Sequence, residues 1–198
     1  YNEPAFNEKK QLVQDFVKLS GAKTVLDMGA NNGLFSRVAG EVADFVISAD
    51  IDPFAVEENY KTVKRNKEQN ILPIKFDIVN PSPAIGWGNA ERQVLQNRAK
   101  NVDTVMALAL VHHLAISNNV PLGRVFEYFT NLGKYLLIEF VPKGDSQVDK
   151  LLATRKDIFP DYTIKGFEES AKPYYKLVKK SAIAGTKRTL YLFERKAK

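Results

Sequence analysis

The stretch Val25-Leu26-Asp27-Met28-Gly29-Ala30-Asn31-Asn32-Gly33 decides how the rest of the chain is read. Thr24 to Met28 is short and mostly apolar, as a buried strand is. Gly29 and Gly33 bracket a loop, and Leu34 to Val42 follows as a short helix. Strand, glycine loop and helix in that order open a βαβ unit. Glycine at such a turn admits positive φ and a close backbone approach to a ligand. In open α/β sheets ligands sit at the carboxyl ends of the strands, where strand order reverses. Taken alone, two glycines also fit an ordinary tight βα turn.

Upstream of this stretch, Glu8 to Leu19 is predicted as a helix, with Leu12, Val13, Phe16 and Val17 on one face and Gly21 as its stop. Downstream, Phe45 to Ala49 reads as the second strand. Asp52-Pro53 is an N-cap with proline at the first helical position, and the helix runs to about Asn66. Ile71 to Phe76 is the third strand. Pro81, Pro83, Gly86 and Gly88 make Asn80 to Gly88 a loop. A helix is expected over Ala90 to Asn97, a fourth strand over Asp103 to Ala109, and a helix from Pro121 to about Leu132. Tyr135 to Val141 is the fifth strand, and Gln147 to Arg155 is helical. Tyr175 to Lys179 and Thr189 to Phe193 close the chain as a pair joined around Ala184-Gly185-Thr186. So short a connection requires antiparallel pairing. The fold class is therefore α/β: a doubly wound, mostly parallel seven-stranded sheet with one antiparallel strand near the C-terminal end, in a single domain over residues 1–198.

Composition agrees with this reading. The chain has 198 residues, 44% hydrophobic and 26% charged, enough to fill one core. No run approaches the ~20 apolar residues that span a bilayer, and Tyr1 to Lys10 is too polar for a signal peptide. No membrane association is expected, and the expected location is the cytoplasm. The absence of cysteine excludes disulfides and cysteine nucleophiles. Two adjacent histidines make a metal cage unexpected. A net charge of +6 permits nucleic acid as a partner without establishing it. The C-terminal run of Lys172, Lys176, Lys179, Lys180, Lys187, Arg188, Arg195, Lys196 and Lys198 follows strand-like segments, which favours a solvated sheet edge and tail.

Two further carboxylates sharpen the picture. Asp50 ends the second strand, 23 residues after Asp27. A carboxylate at that place can accept from both hydroxyls of a ribose. Asp52, directly before Pro53, takes the capping role and leaves Asp50 for a ligand. Asp77 ends the third strand, where it can accept from an exocyclic adenine amine or cap its own loop. Three acids thus end three successive strands, and a glycine loop follows the first.

With these residues in view, the chain resembles the class I S-adenosylmethionine-dependent methyltransferases. The resemblance lies in Val25 to Gly33, in Ala49-Asp50-Ile51-Asp52-Pro53, in Lys75-Phe76-Asp77-Ile78, and in Ala107-Leu108-Ala109-Leu110-Val111-His112-His113-Leu114. It covers nearly the whole chain in order. More narrowly, Asn80 to Trp87, Leu108 to Leu122 and Leu137 to Lys143 resemble the nodulation-protein-like methyltransferases. Members of that group extend further at the N-terminus, so a trimmed chain is expected, with residues 1–20 as an N-terminal helical segment.

The resemblance implies S-adenosylmethionine as cofactor and S-adenosylhomocysteine as product. It implies that Asp27, Gly29, Ala30, Asn31, Asn32 and Gly33 line the methionine and ribose portions. Asp50 would hold the ribose diol with Ile51 packed on adenine, Asp77 would reach the adenine amine with Ile78 beside it, and Ala107 and Leu108 would pass the methionine end. His112 and His113 follow the fourth strand, where an acceptor would lie, and imidazole titrates near neutrality. Either could act as catalytic base, or both could be structural.

The implied reaction is methyl transfer to O or N of an unidentified small molecule or nucleic acid. Ala107-Leu108-Ala109-Leu110 lacks the Asn/Asp-Pro-Pro-aromatic pattern of enzymes that methylate exocyclic base amines. Two alternatives remain: a non-catalytic binding or interaction module on the same fold, and an NAD-dependent dehydrogenase. The second is disfavoured because Asp27 stands where the first glycine of Gly-x-Gly-x-x-Gly belongs.

Overall fold

Strands β1 (Thr24–Met28), β2 (Phe45–Asp50), β3 (Ile71–Lys75), β4 (Val102–Ala107), β5 (Gly133–Phe140), β6 (Tyr175–Ala182) and β7 (Thr189–Arg195) form one sheet. In the computed structural model, which describes residues 3–197, the order across the sheet is β3-β2-β1-β4-β5-β7-β6. The ends of the expected 1–198 domain, and the first two residues of its 1–20 segment, lie outside the described residues. All neighbouring pairs from β3 to β5 are parallel. β7 runs antiparallel to both β5 and β6, so it is the one reversed strand.

Helices cover both faces, as a parallel sheet requires. They are α1 (Glu3–Ser20), α2 (Leu34–Gly40), α3 (Pro53–Asn66), α4 (Leu95–Arg98), α5 (Leu122–Thr130), α6 (Ser146–Leu152) and α7 (Ile164–Ala171). Strand pleating sorts the core into two layers. Val25, Val46, Met106 and Leu137 pack with Val13, Phe16 and Val17 of α1. Leu26, Val105, Leu136 and Ile138 face the other way, toward Phe126, Phe129 and Phe167. No helix among the described residues is long and apolar enough to cross a membrane.

Local chemistry sets the boundaries near the loops. Asp52 caps α3 by accepting from the Phe54 amide at 2.9 Å, with Pro53 at the first position. Gly33 precedes α2 in a left-handed conformation, φ 78°. Its freedom is required twice over: a Cβ there would lie 2.4 Å from the amide of Asn59.

One expected helix needs correction, and two elements lie where none was expected. The helix expected over Ala90–Asn97 is reduced to α4, because residues 85–92 fold back on themselves. The Ile85 amide bonds Arg92 O at 3.0 Å, and the Trp87 amide bonds the Glu91 side chain at 3.1 Å. Those contacts hold residues 85–92 in a turn around a short 3-10 segment, Trp87–Asn89, and leave only Leu95–Arg98 α-helical. α7 was not anticipated; Gly166 in its first turn obscures a helix that Thr163 caps. After β4 the chain enters a π-helical turn, His113–Ser117. Such turns gather at functional sites.

Candidate functional site

Strand order reverses between the neighbouring strands β1 and β4, and a cavity of about 650 Å³ opens at the carboxyl ends of these strands. Of the residues singled out in the sequence, Asp27, Gly29, Ala30, Asn31, Asn32, Asp50, Ile51, Asp77, Ile78, Leu108 and His113 line it. Gly33, Ala107 and His112 do not line it. The wall also takes in Phe6 and Lys9 from α1, Phe35 from α2, and Ser117 and Asn118 at the end of the π-helical turn.

The glycine loop is held open by its neighbours. The amides of Gly29 and Ala30 both donate to Ala49 O, at 2.9 and 3.0 Å. Asn31 has a left-handed φ of 51° and donates its amide to Asp50 Oδ2 at 2.6 Å. Asp50 Oδ1 accepts from the Asp52 amide at 2.9 Å. Each oxygen thus has one fixed donor and keeps acceptor capacity for a ligand. Asp77 uses Oδ1 to close its own loop, accepting from Val79 at 2.8 Å and Asn80 at 3.0 Å. Both roles foreseen for Asp77 are therefore compatible: it caps the loop while facing the cavity.

Asp27 is the most constrained acid. It is buried at the cavity wall, where Oδ2 accepts from Ser36 Oγ at 2.7 Å. Loss of solvent pushes its carboxyl up to about 7; the Ser36 hydrogen bond and the Lys9 charge pull the other way.

Lys9 is the main feature missed in the sequence. It is buried, with Nζ 2.6 Å from Glu139 Oε2 on β5 and 4.5 Å from the ring centre of Phe35. Burial lowers its ammonium from the usual value, against the pull of Glu139. Glu139 also meets Arg188 at 3.5 Å, and Arg188 grips Asp145. A signal was present: Lys9 continues the stripe of Val13, Phe16 and Val17 one turn earlier, and a lysine on a buried stripe calls for a partner.

The histidines part company. Their rings lie 4.2 Å apart, but His113 faces the cavity and His112 is buried behind it, with no hydrogen-bond partner for Nδ1. Burial, then the proximity of His113, pushes His112 down to about 4. Burial also lowers His113, with Asp50 opposing. Both rings are therefore neutral near pH 7. Ala109 is strained, a non-glycine residue at φ 49° on the cavity wall; strain of this kind collects at functional sites.

The chain is 43% identical over 197 residues to nodulation protein NoeA of Rhizobium meliloti (strain 1021). The match covers 98% of this chain and 41% of that protein, so the chain spans about two fifths of the relative's length. No protein-family model matches the chain. Among solved structures, the N-methyltransferase NodS from Bradyrhizobium japonicum WM9 superposes with a TM-score of 0.71 at 13% identity, over 99% of both chains. Its complex with S-adenosyl-L-homocysteine gives 0.70, also at 13% identity, over 99% of this chain and 90% of that one. The methyltransferase domain of bacterial CtHen1-C gives 0.69 at 16% identity, over 98% of this chain and all of that one, 100%. At such identities the likeness establishes the fold, the Rossmann-like one that these enzymes share.

Proposed function

From a chain with the methyltransferase fold and homology to part of NoeA, we propose an S-adenosylmethionine-dependent methyltransferase acting on O or N of a small molecule or nucleic acid. One observation carries the reading: Asp27, Asp50 and Asp77 border a single cavity beside a glycine loop with left-handed Gly29 and Asn31. The donor set fits the cofactor. Asp50, with one amide on each oxygen, has capacity left for the two ribose hydroxyls. Asp77 and Ile78 offer an acceptor and an apolar face to adenine. Asp27 and Lys9 present opposite charges, which suits an amino acid tail carrying both. A cavity of this size lies within the usual range for small-molecule sites, roughly 300–1,000 Å³. When bound, S-adenosylmethionine supplies an electrophilic methyl group on a positively charged sulfur.

The residues of this chain do the positioning. Holding two reactants in line accounts for much of the acceleration such transfers need. His113, neutral and at the cavity, would take a proton from an acceptor whose nucleophile is protonated. His112 supports it from behind. Phe35, Leu108 and Leu110 give the cavity an apolar wall, which would keep water from the transfer path.

Calorimetric titration with S-adenosylhomocysteine, then transfer of labelled methyl from S-adenosylmethionine into candidate acceptor fractions, tests the proposal. Micromolar binding with label transfer supports it. Binding without transfer to any fraction would favour the interaction-module reading, and absence of binding would end the enzyme assignment.

A further inference from the structure

Behind the glycine loop lies a chain of buried polar groups that the proposed reaction does not yet use. Asn59 sits in the middle of α3 with 1% exposure. Its Nδ2 donates to Ser48 Oγ of β2 at 2.8 Å. Ser48 Oγ lies 2.7 Å from Ser36 Oγ of α2, and Ser36 Oγ lies 2.7 Å from Asp27 Oδ2 at the cavity wall. All three side chains are shut off from solvent.

Proton counting fixes the direction of this chain. A hydroxyl has one proton to give. With Asp27 ionised, Ser36 spends its proton on the carboxylate and must accept from Ser48. Ser48 then needs a donor of its own, which the Asn59 amide supplies. Every bond points toward Asp27, and chains aligned in one sense polarise one another. The same Asn59 amide lies under Gly33, where a Cβ would come within 2.4 Å of it. One side chain therefore supports both the glycine loop and the acid beside it.

We infer that Asn59 is a positioning residue for this site: through Ser48 and Ser36 it orders a one-way hydrogen-bond chain that favours the anionic form of Asp27, toward the ammonium of the bound ligand. The ligand part of this inference rests on the proposed function; the chain itself does not. The charged groups facing Asp27 are Lys9 from α1, which favours the anion, and Asp50 at the end of β2, which opposes it. Glu139 of β5 acts through its bond to Lys9, α2 contributes the Ser36 hydroxyl, and β4 places the uncharged Met106 in register with Asp27.

The test is the titration of the Asp27 carboxyl carbon by NMR in the ligand-free protein. In Asn59→Ala the midpoint should rise, by about one pH unit, because the last donor of the chain is gone. Asn59→Asp should raise it further, since an acceptor then faces Ser48. Ser48→Ala breaks the same chain with a smaller volume change and decides the matter if Asn59→Ala does not fold. A folded variant of either kind with an unchanged Asp27 midpoint would overturn the inference, leaving Asn59 a packing residue. Affinity for S-adenosylhomocysteine adds a second reading. It should match the wild type at about pH 9 and fall up to about tenfold below it near pH 7, since one unit is a factor of ten. Equal loss at both pH values would also overturn the inference. If the wild type binds no S-adenosylhomocysteine at any pH, the proposed function fails while the NMR titration still judges the chain.

Discussion

The backbone amide of Asn31 donates to Asp50 Oδ2 across 2.6 Å and ties the glycine loop to the tip of the neighbouring strand. The loop and the acid therefore hold each other before any ligand arrives. Preorganisation of this kind lowers the cost of binding. Asp50→Ala removes both the acceptor and the tie. It should weaken S-adenosylhomocysteine binding by ten- to a hundredfold, on the basis of ~1.5–3 kcal/mol for hydrogen bonds to a charged group. Calorimetry checks this, and unchanged affinity would remove Asp50 from the ribose site.

Asp27 sets stability against function. Its folded-state value is about 7, while an unfolded aspartate titrates near ~3.9. Between those values the native state holds the extra proton, so stability falls as pH rises through that window, and the full cost is present above about 7. Asp27→Asn should therefore stabilise the ligand-free protein by roughly 2–4 kcal/mol at about pH 8 and by less at about pH 5. Urea unfolding at both pH values checks the sign. The same substitution should weaken S-adenosylhomocysteine binding, because it removes the charge facing the ammonium.

The two histidines should separate in a mutant pair. His113→Ala should lower turnover roughly a hundredfold, within the usual range for a proton-transfer group, and leave cofactor affinity nearly unchanged. His112→Ala should lower stability by about 2 kcal/mol through the space it vacates. Steady-state kinetics beside thermal unfolding distinguishes the two. Loss of affinity and turnover together in His113→Ala would assign that ring to the cofactor instead.

Lys9 and Glu139 form a buried pair beside Arg188, so removing either charge unbalances a buried ionic cluster. Lys9→Met or Glu139→Gln should each cost about 3–5 kcal/mol, whereas Lys9→Met combined with Glu139→Leu should recover much of that loss. Denaturant unfolding of the three variants measures the coupling. Additive losses would mean that Lys9 acts through its contact with Phe35.

The fold was legible because its signals were local. Asp52-Pro53 marks the start of α3, and the seven strands fall near their expected places because most are short apolar runs between turn residues. Sites that depend on position at a strand end were legible for the same reason, which is why Asp27, Asp50 and Asp77 stand together. What stayed hidden depended on contacts across the chain. Lys9 looks like a surface lysine until Glu139, 130 residues later, is placed beside it. Ser36, Ser48 and Asn59 come from a helix, a strand and another helix, and nothing in their spacing brings them together. The turn at residues 85–92 overrode a helical pattern with contacts that no periodicity reports.

The outermost strand explains part of the positive charge. β6 is exposed along most of its length, and Leu177 and Val178 show about two fifths of their surfaces, 42% and 41%. A free strand edge with exposed leucine and valine invites another copy to add on. Lys180 is paired with Glu168 at 2.9 Å, but Lys176 and Lys179 flank those two residues, and their charge guards against fibre-like stacking. Neutralising them should leave the cavity intact and send the protein out of solution, so a loss of yield in such variants speaks of colloidal behaviour and not of a missing polyanionic partner.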